Sequence, residues 1–183
     1  MQKVVLTFGL ISGLIIAVLV WLITGIGCDG DLLNLDYAMF VGYASMLISL
    51  TMVFFGIKSY RDNYAGGQIT FWKGLQIGIL ISLIAAIMYW AGAVSYAVTH
   101  PGFTERFTTK FTNHMVEKLR ASGAPQSEID ETLQGAAQMQ ALLQNPVMFF
   151  LVCLMEFLPV GIIVTLISAA LLRRRELLPA AAG

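Results

Sequence analysis

The sequence predicts an all-α membrane protein with four transmembrane helices and an extracytoplasmic amphipathic helix pair between the third and fourth spans. Three observations lead there. The 183 residues are 57% hydrophobic and 12% charged, where an ordinary soluble domain carries about 25% charge. The mean hydropathy is +0.76. Four apolar runs each reach the ~20 residues that a helix needs to cross a bilayer, and the charges are segregated into the short segments between them.

The first span is residues 4–26, an uncharged run broken only by Thr7, Ser12 and Thr24. Lys3 before it and Gly25-Ile26-Gly27-Cys28 at its end faintly resemble a lipoprotein signal and cleavage site. The run outlasts the ~7–15 apolar residues of such a signal, and Gly25 stands where a larger aliphatic residue is preferred. An uncleaved span is therefore expected, with modification of Cys28 as the alternative. Cys28 to Asp36 reads as a polar, acidic loop.

The second span covers residues 37–57 and ends at Lys58, Arg61 and Asp62. Gly66-Gly67 then turns the chain, and Thr70 is placed to cap the next helix. The third span covers residues 74–98, with Trp72 and Lys73 anchoring its start. Residues 99–145 are too polar to span. Phe103, Phe107, Phe111, Met115 and Leu119 recur at every fourth position, an apolar stripe flanked by Arg106, Lys110, Glu117, Lys118 and Arg120. Ser122-Gly123 stops that helix. Pro125, and Ser127 with Asp130 as a weak capping box, start another, whose apolar face is Ile129, Leu133, Ala137, Met139 and Leu143. The fourth span, residues 146–172, contains Glu156 and Pro159 and stops at Arg173-Arg174-Arg175; Leu177 to Gly183 reads as a frayed tail. The whole chain, residues 1–183, thus reads as a single four-helix membrane domain.

Four spans put both termini on one side. That side holds Lys3, Lys58, Arg61, Lys73, Arg173, Arg174 and Arg175, seven of the 11 basic residues, and the other four lie in the 99–145 segment. The positive-inside rule places the termini and the second-to-third hairpin in the cytoplasm. Trp21, Tyr37, Tyr43, Tyr89, Trp90 and Tyr96 are then expected at the outer interface, and Tyr60, Tyr64, Phe71 and Trp72 at the inner one.

Small residues recur at four-residue spacing as Gly9/Gly13, Ser45/Ser49, Gly74/Gly78 and Gly161/Thr165/Ala169. They predict close helix packing, because lipid supplies no hydrophobic drive between helices and small residues let backbones approach. Whether a given face meets the same chain or a second copy is left open. Glu156 lies about ten residues, or roughly 15 Å, from the start of its helix. A carboxylate at that depth costs at least ~2.5 kcal/mol, so it is expected to be protonated, bonded to a neighbouring helix, or facing a hydrated cavity. Ser12, Ser45, Ser49 and Ser82 fall at similar depth and are its expected partners. Pro159 frees the carbonyl of Met155, making this a place for a kink.

Nothing else carries recognisable chemistry. His100 and His114 lack the spacing of a zinc site and read as solvated or headgroup-facing. Two cysteines are too few for a disulfide framework or a metal cluster. No phosphate-binding or nucleophile motif is present, and no basic face with interleaved aromatics supports nucleic-acid binding. No enzymatic activity and no cofactor are expected.

Gly42-Tyr43-Ala44-Ser45-Met46-Leu47-Ile48, Phe54-Phe55-Gly56-Ile57-Lys58-Ser59-Tyr60-Arg61-Asp62, Gly66-Gly67-Gln68-Ile69-Thr70-Phe71 and Glu156-Phe157-Leu158-Pro159-Val160-Gly161 together resemble a bacterial membrane family known as domain of unknown function 4199. The resemblance implies a four-helix protein of the bacterial inner membrane and gives Glu156 the status of a motif residue. It implies no activity. The expected function is a non-enzymatic scaffold or accessory subunit, working with the lipid bilayer and with a membrane-protein partner or its own copies. The alternative is a small oligomeric transporter or proton-coupled permeation protein using Glu156.

Reporter fusions at Gly66 and at the C-terminal tail are expected to score cytoplasmic, and a fusion at Gly123 external. A cytoplasmic score at Gly123 would overturn the orientation.

Overall fold

Residues that need 3.6-residue periodicity to satisfy their backbone groups without water form long helices here, and the computed structural model, which describes residues 1–29 and 35–173, is helical throughout its length. The helices are α1 (Gln2–Ile23), α2 (Leu35–Tyr64), α3 (Phe71–Thr99), α4 (Phe103–Ala121), α5 (Gln126–Gln144) and α6 (Pro146–Leu172). Four stretches, Gln2–Ile26, Met39–Tyr64, Phe71–Thr99 and Pro146–Leu172, are long and apolar enough to cross a membrane. The fourth coincides with its sequence prediction. The others run further into the polar flanks, as helices do when unbonded backbone groups are costly until water is reached.

That effect also corrects the first loop. A π-helical segment, Thr24–Asp29, continues α1, so the backbone of Cys28 and Asp29 is helical and not loop. The remainder of the acidic loop around Asp31, the side chain of Cys28, and Arg174, Arg175 and the tail lie outside the described residues.

Helix ends follow local chemistry. Thr70 caps α3, its hydroxyl accepting from the Lys73 N–H at 3.3 Å. Gly66 and Gly67 both take positive φ, 63° and 83°, a conformation that costs glycine little. Gly123 (φ 74°) closes α4, with its N–H on the Arg120 carbonyl and that of Ala124 on Leu119, the paired bonds of a Schellman ending. The capping box at α5 does not form. Pro125, in an extended conformation, occupies the N-cap, which moves Ser127 inside the first turn, and Asp130 accepts from Gln126 Nε2 at 2.9 Å. Asn145 caps α6, accepting from Val147 N at 2.9 Å, with Pro146 in the first helical position where its missing N–H costs nothing.

The four long helices run up and down, with α3 at the centre and packed most extensively against α1 and α6. Small residues mark each contact. A Cβ on Gly9 would lie 2.9 Å from Ile84, and one on Gly13 would overlap Met88. On the other side of α3, a Cβ on Gly74 would sit 3.2 Å from Ala169, one on Gly78 would collide with Thr165, and one on Gly161 would lie 2.9 Å from Ser82. All five glycines therefore face neighbours within the chain. Ser12 adds a bond across to α2, donating to the Ser49 carbonyl at 2.7 Å, and Ser82 and Thr165 pair at 3.5 Å.

The two halves of the bundle differ. Toward the α2–α3 hairpin, Leu50, Val53, Ile57, Ile77, Ile81 and Phe157 are wholly buried and fill the interior. Toward α4 and α5 the helices surround a cavity of about 530 Å³, closed over by Phe103, Phe107 and Phe111. The predicted phenylalanine stripe thus lines the bundle, its rings stacked at centroid spacings of 5.8 and 6.2 Å. The predicted face of α5 is displaced. Of the predicted residues Ile129 and Leu143 turn inward, together with Thr132, Ala136 and Gln140, whereas Leu133 and Ala137 are exposed and Met139, exposed as well, also lines the cavity. Large apolar side chains cover the outside of the long helices, among them Leu14, Phe40, Ile163 and Leu171.

Gly78→Ala is expected to lower the thermal midpoint in detergent, since overpacking against the stiff Thr165 and Val53 costs about 1–3 kcal/mol. Gly135→Ala, where a Cβ meets nothing within 4 Å, is expected to raise it by up to about 1 kcal/mol through helix propensity. Equal effects at both positions would refute the packing role of Gly78.

Candidate functional site

The α3–α6 register that seats Gly74 against Ala169 and Gly78 against Thr165 continues toward α4. There it brings Tyr89 to Glu156, and the phenol donates to the carboxyl Oε2 at 2.9 Å. The expected serine partners are all engaged elsewhere. Ser12 donates to the Ser49 carbonyl, Ser45 to Val41, Ser49 to Met46, and Ser82 pairs with Thr165. A serine hydroxyl is short and finds a carbonyl on its own helix or at a close crossing, whereas a tyrosine reaches across the wider gap where the bundle opens.

Tyr89 therefore faces the bundle and not the interface. Its ring lies 5.5 Å from that of the fully buried Phe157. Tyr96 is likewise inside, only 3% exposed. It stacks on His100 at 4.1 Å and meets Trp21 at 5.1 Å and Phe103 at 4.9 Å. His100, half-buried, is thus part of an aromatic cluster at the start of α4. Trp21 Nε1 donates to Ser95 Oγ at 2.8 Å, tying α1 to α3 at the same level. Aromatic residues near helix ends look alike in sequence whether they face lipid or a neighbouring helix, and only the rotation of each helix distinguishes them.

Glu156 is an exposed residue of the chain and lines the cavity together with Tyr43, Tyr89, Cys153 and the α4 phenylalanines. Cys153 is buried as a free thiol in that wall. Pro159 lies one turn beyond Glu156 on the exposed side of α6, which is helical without interruption through it. Among the described residues no three His, Cys, Asp or Glu side chains converge to hold a metal ion. The magnitudes single out Glu156. At the middle of a helix that crosses a membrane a carboxylate would cost about 2.5–3.5 kcal/mol, while one interhelical hydrogen bond returns about 0.6 and at most about 1.7 kcal/mol. Tyr89 alone does not offset the acid, and the adjoining cavity is the place where a further partner fits.

The arrangement defines an all-helical protein with four candidate membrane-spanning helices, an acid–phenol pair between two of them and a cavity on one side of that pair. The chain belongs to the family described as Protein of unknown function (DUF4199), whose model matches residues 7–174. Comparison with curated proteins and with solved structures gave no match.

Glu156→Gln still accepts from Tyr89 and is expected to leave thermal stability in detergent unchanged. Tyr89→Phe and Glu156→Leu are each expected to cost about 1 kcal/mol, and the double variant Tyr89→Phe/Glu156→Leu no more than either alone. Additive losses in the double variant would show that the two side chains do not depend on each other.

Proposed function

We propose that this protein is a non-enzymatic accessory or scaffold subunit of the bacterial inner membrane, with cytoplasmic termini and with α4 and α5 on the external side. The observation that carries this reading is the outward face of α5. Leu133, Ala137 and Ala141 follow one another at four-residue spacing and are all exposed, so an apolar stripe lies uncovered on a helix pair too polar to span. Such a stripe on an extramembrane helix fits a groove on another membrane protein. The filled half of the bundle supports the same reading, because Leu50, Val53, Ile57, Ile77, Ile81 and Phe157 are wholly buried within it.

A second reading, a small oligomeric transporter or proton-coupled permeation protein, rests on Glu156 lining a cavity. It requires the filled half to open, and Pro159 is the place on α6 where the helix lacks one backbone bond.

Affinity purification from native membranes in mild detergent is expected to recover a stoichiometric membrane-protein partner. Leu133→Glu/Ala137→Glu is expected to lose that partner with no change in the thermal midpoint. Recovery of the chain alone as a homo-oligomer, with Glu156→Gln failing to complement a deletion phenotype, would favour the transporter instead.

A further inference from the structure

The cavity beneath α4 combines three features that belong together chemically. Its wall is overwhelmingly apolar and aromatic, with the rings of Tyr43, Tyr89, Tyr96, Phe103 and Phe107 around it. Among the described residues that line it, Glu156 is the one carboxyl, and none is Lys, Arg or His. One carboxyl oxygen accepts from Tyr89, which holds the side chain at the cavity wall. The volume, about 530 Å³, is that of an ordinary small-molecule pocket, typically ~300–1,000 Å³.

The charge pattern selects the ligand. Phosphates, carboxylates and anionic lipid headgroups find no cation in this wall, and a desolvated anion beside Glu156 would be repelled. A neutral apolar molecule leaves the acid with Tyr89 as its partner and no counter-charge. A cation carrying apolar groups meets both requirements, because it neutralises the carboxylate and its charge lies against the negative faces of the surrounding rings, an attraction that strengthens when water is excluded. We propose that this cavity is a binding site for a lipophilic cation, a tertiary or quaternary amine or a related onium ion, recognised jointly by Glu156 and the tyrosine and phenylalanine rings. The inference stands apart from the partner on α5, since it concerns the inner wall of the bundle and not its surface.

Phe157, fully buried, packs against the ring of Tyr89, which lines the site. Gly42 lies in the wall on α2, and a Cβ there meets nothing within 4 Å. A leucine at that position fills the cavity without disturbing a helix contact, which supplies a variant independent of the acid.

The test is equilibrium binding of radiolabelled tetraphenylphosphonium to the purified full chain in a neutral maltoside detergent, read as the saturable component. Tetraphenylborate, with the same shape and opposite charge, serves as competitor. Binding at one site per chain is expected, displaced by unlabelled tetraphenylphosphonium and not by tetraphenylborate. Glu156→Gln is expected to weaken it by at least about tenfold, the scale of losing a charge partner in a desolvated site, and Gly42→Leu to weaken it severalfold while the protein elutes and melts as the parent does. Should Glu156→Gln fail to fold, the borate competition and Gly42→Leu decide. Absence of saturable binding, equal displacement by the borate, or unchanged affinity in a folded Glu156→Gln or Gly42→Leu variant would overturn the proposal.

Discussion

The close approach of α3 to α1 on one side and to α6 on the other fixes the rest of the bundle. A Cβ at Gly78 would lie 3.0 Å from Val53 and 2.9 Å from the Thr165 hydroxyl, and one at Gly92 would lie 3.1 Å from the Cα of Ala17. At these distances the neighbouring helices leave room for glycine alone. In lipid, helices gain little by hiding apolar surface from one another, so van der Waals contact and interhelical hydrogen bonds decide register. Once Gly74, Gly78 and Gly161 are seated, Ser82 meets Thr165, and further along the same seam Tyr89 meets Glu156. The functional candidate is held in place by glycines several turns away.

The same seam explains why one half of the bundle is filled and the other hollow. Toward the α2–α3 hairpin, branched aliphatic side chains of ordinary size interdigitate between the close helices. Toward α4, small residues such as Gly42, Ala93 and Ala97 alternate with long aromatic ones, and the tyrosines and phenylalanines stand around a space instead of filling it. The α4 phenylalanines close that space from above, anchored through Phe103 on Tyr96. An acid placed in the filled half would have no room for a partner beyond a neighbouring hydroxyl. At the boundary between the halves, Glu156 has a phenol on one side and open volume on the other.

Much of this was legible in the residues. The fourth span and its start at Pro146, the turn at Gly66-Gly67, the Thr70 cap and the stop at Ser122-Gly123 each depend on two or three neighbouring residues, and each is found where local chemistry puts it. The spacing of Gly9, Gly13, Gly74, Gly78 and Gly161 marks them as packing positions. The face of α5 was misjudged because Leu133, Ala137 and Met139 are as apolar as the residues that turn inward, and hydrophobicity does not distinguish a side facing a helix from one left for another surface. The partner of Glu156 was missed for a related reason. Position along one helix names every residue at that level on the others, and Tyr89 was assigned to the interface because a tyrosine near a span end usually belongs there.

By itself the sequence determined the number of long helices, where several of them start or stop, and the isolation of one acid within an apolar run. These follow from bonds and burial costs within a few residues of each position. Tertiary structure alone decided which glycine meets which neighbour, that Glu156 is paired with Tyr89 and not with a serine, that Phe103, Phe107 and Phe111 roof a cavity, and that Leu133 and Ala137 are left uncovered. The reason is rotational: a helix drawn from sequence has a length and a depth, but the direction each side chain faces is set only when neighbouring helices lock its rotation, and that lock is made between residues as far apart in the chain as Gly78 and Thr165.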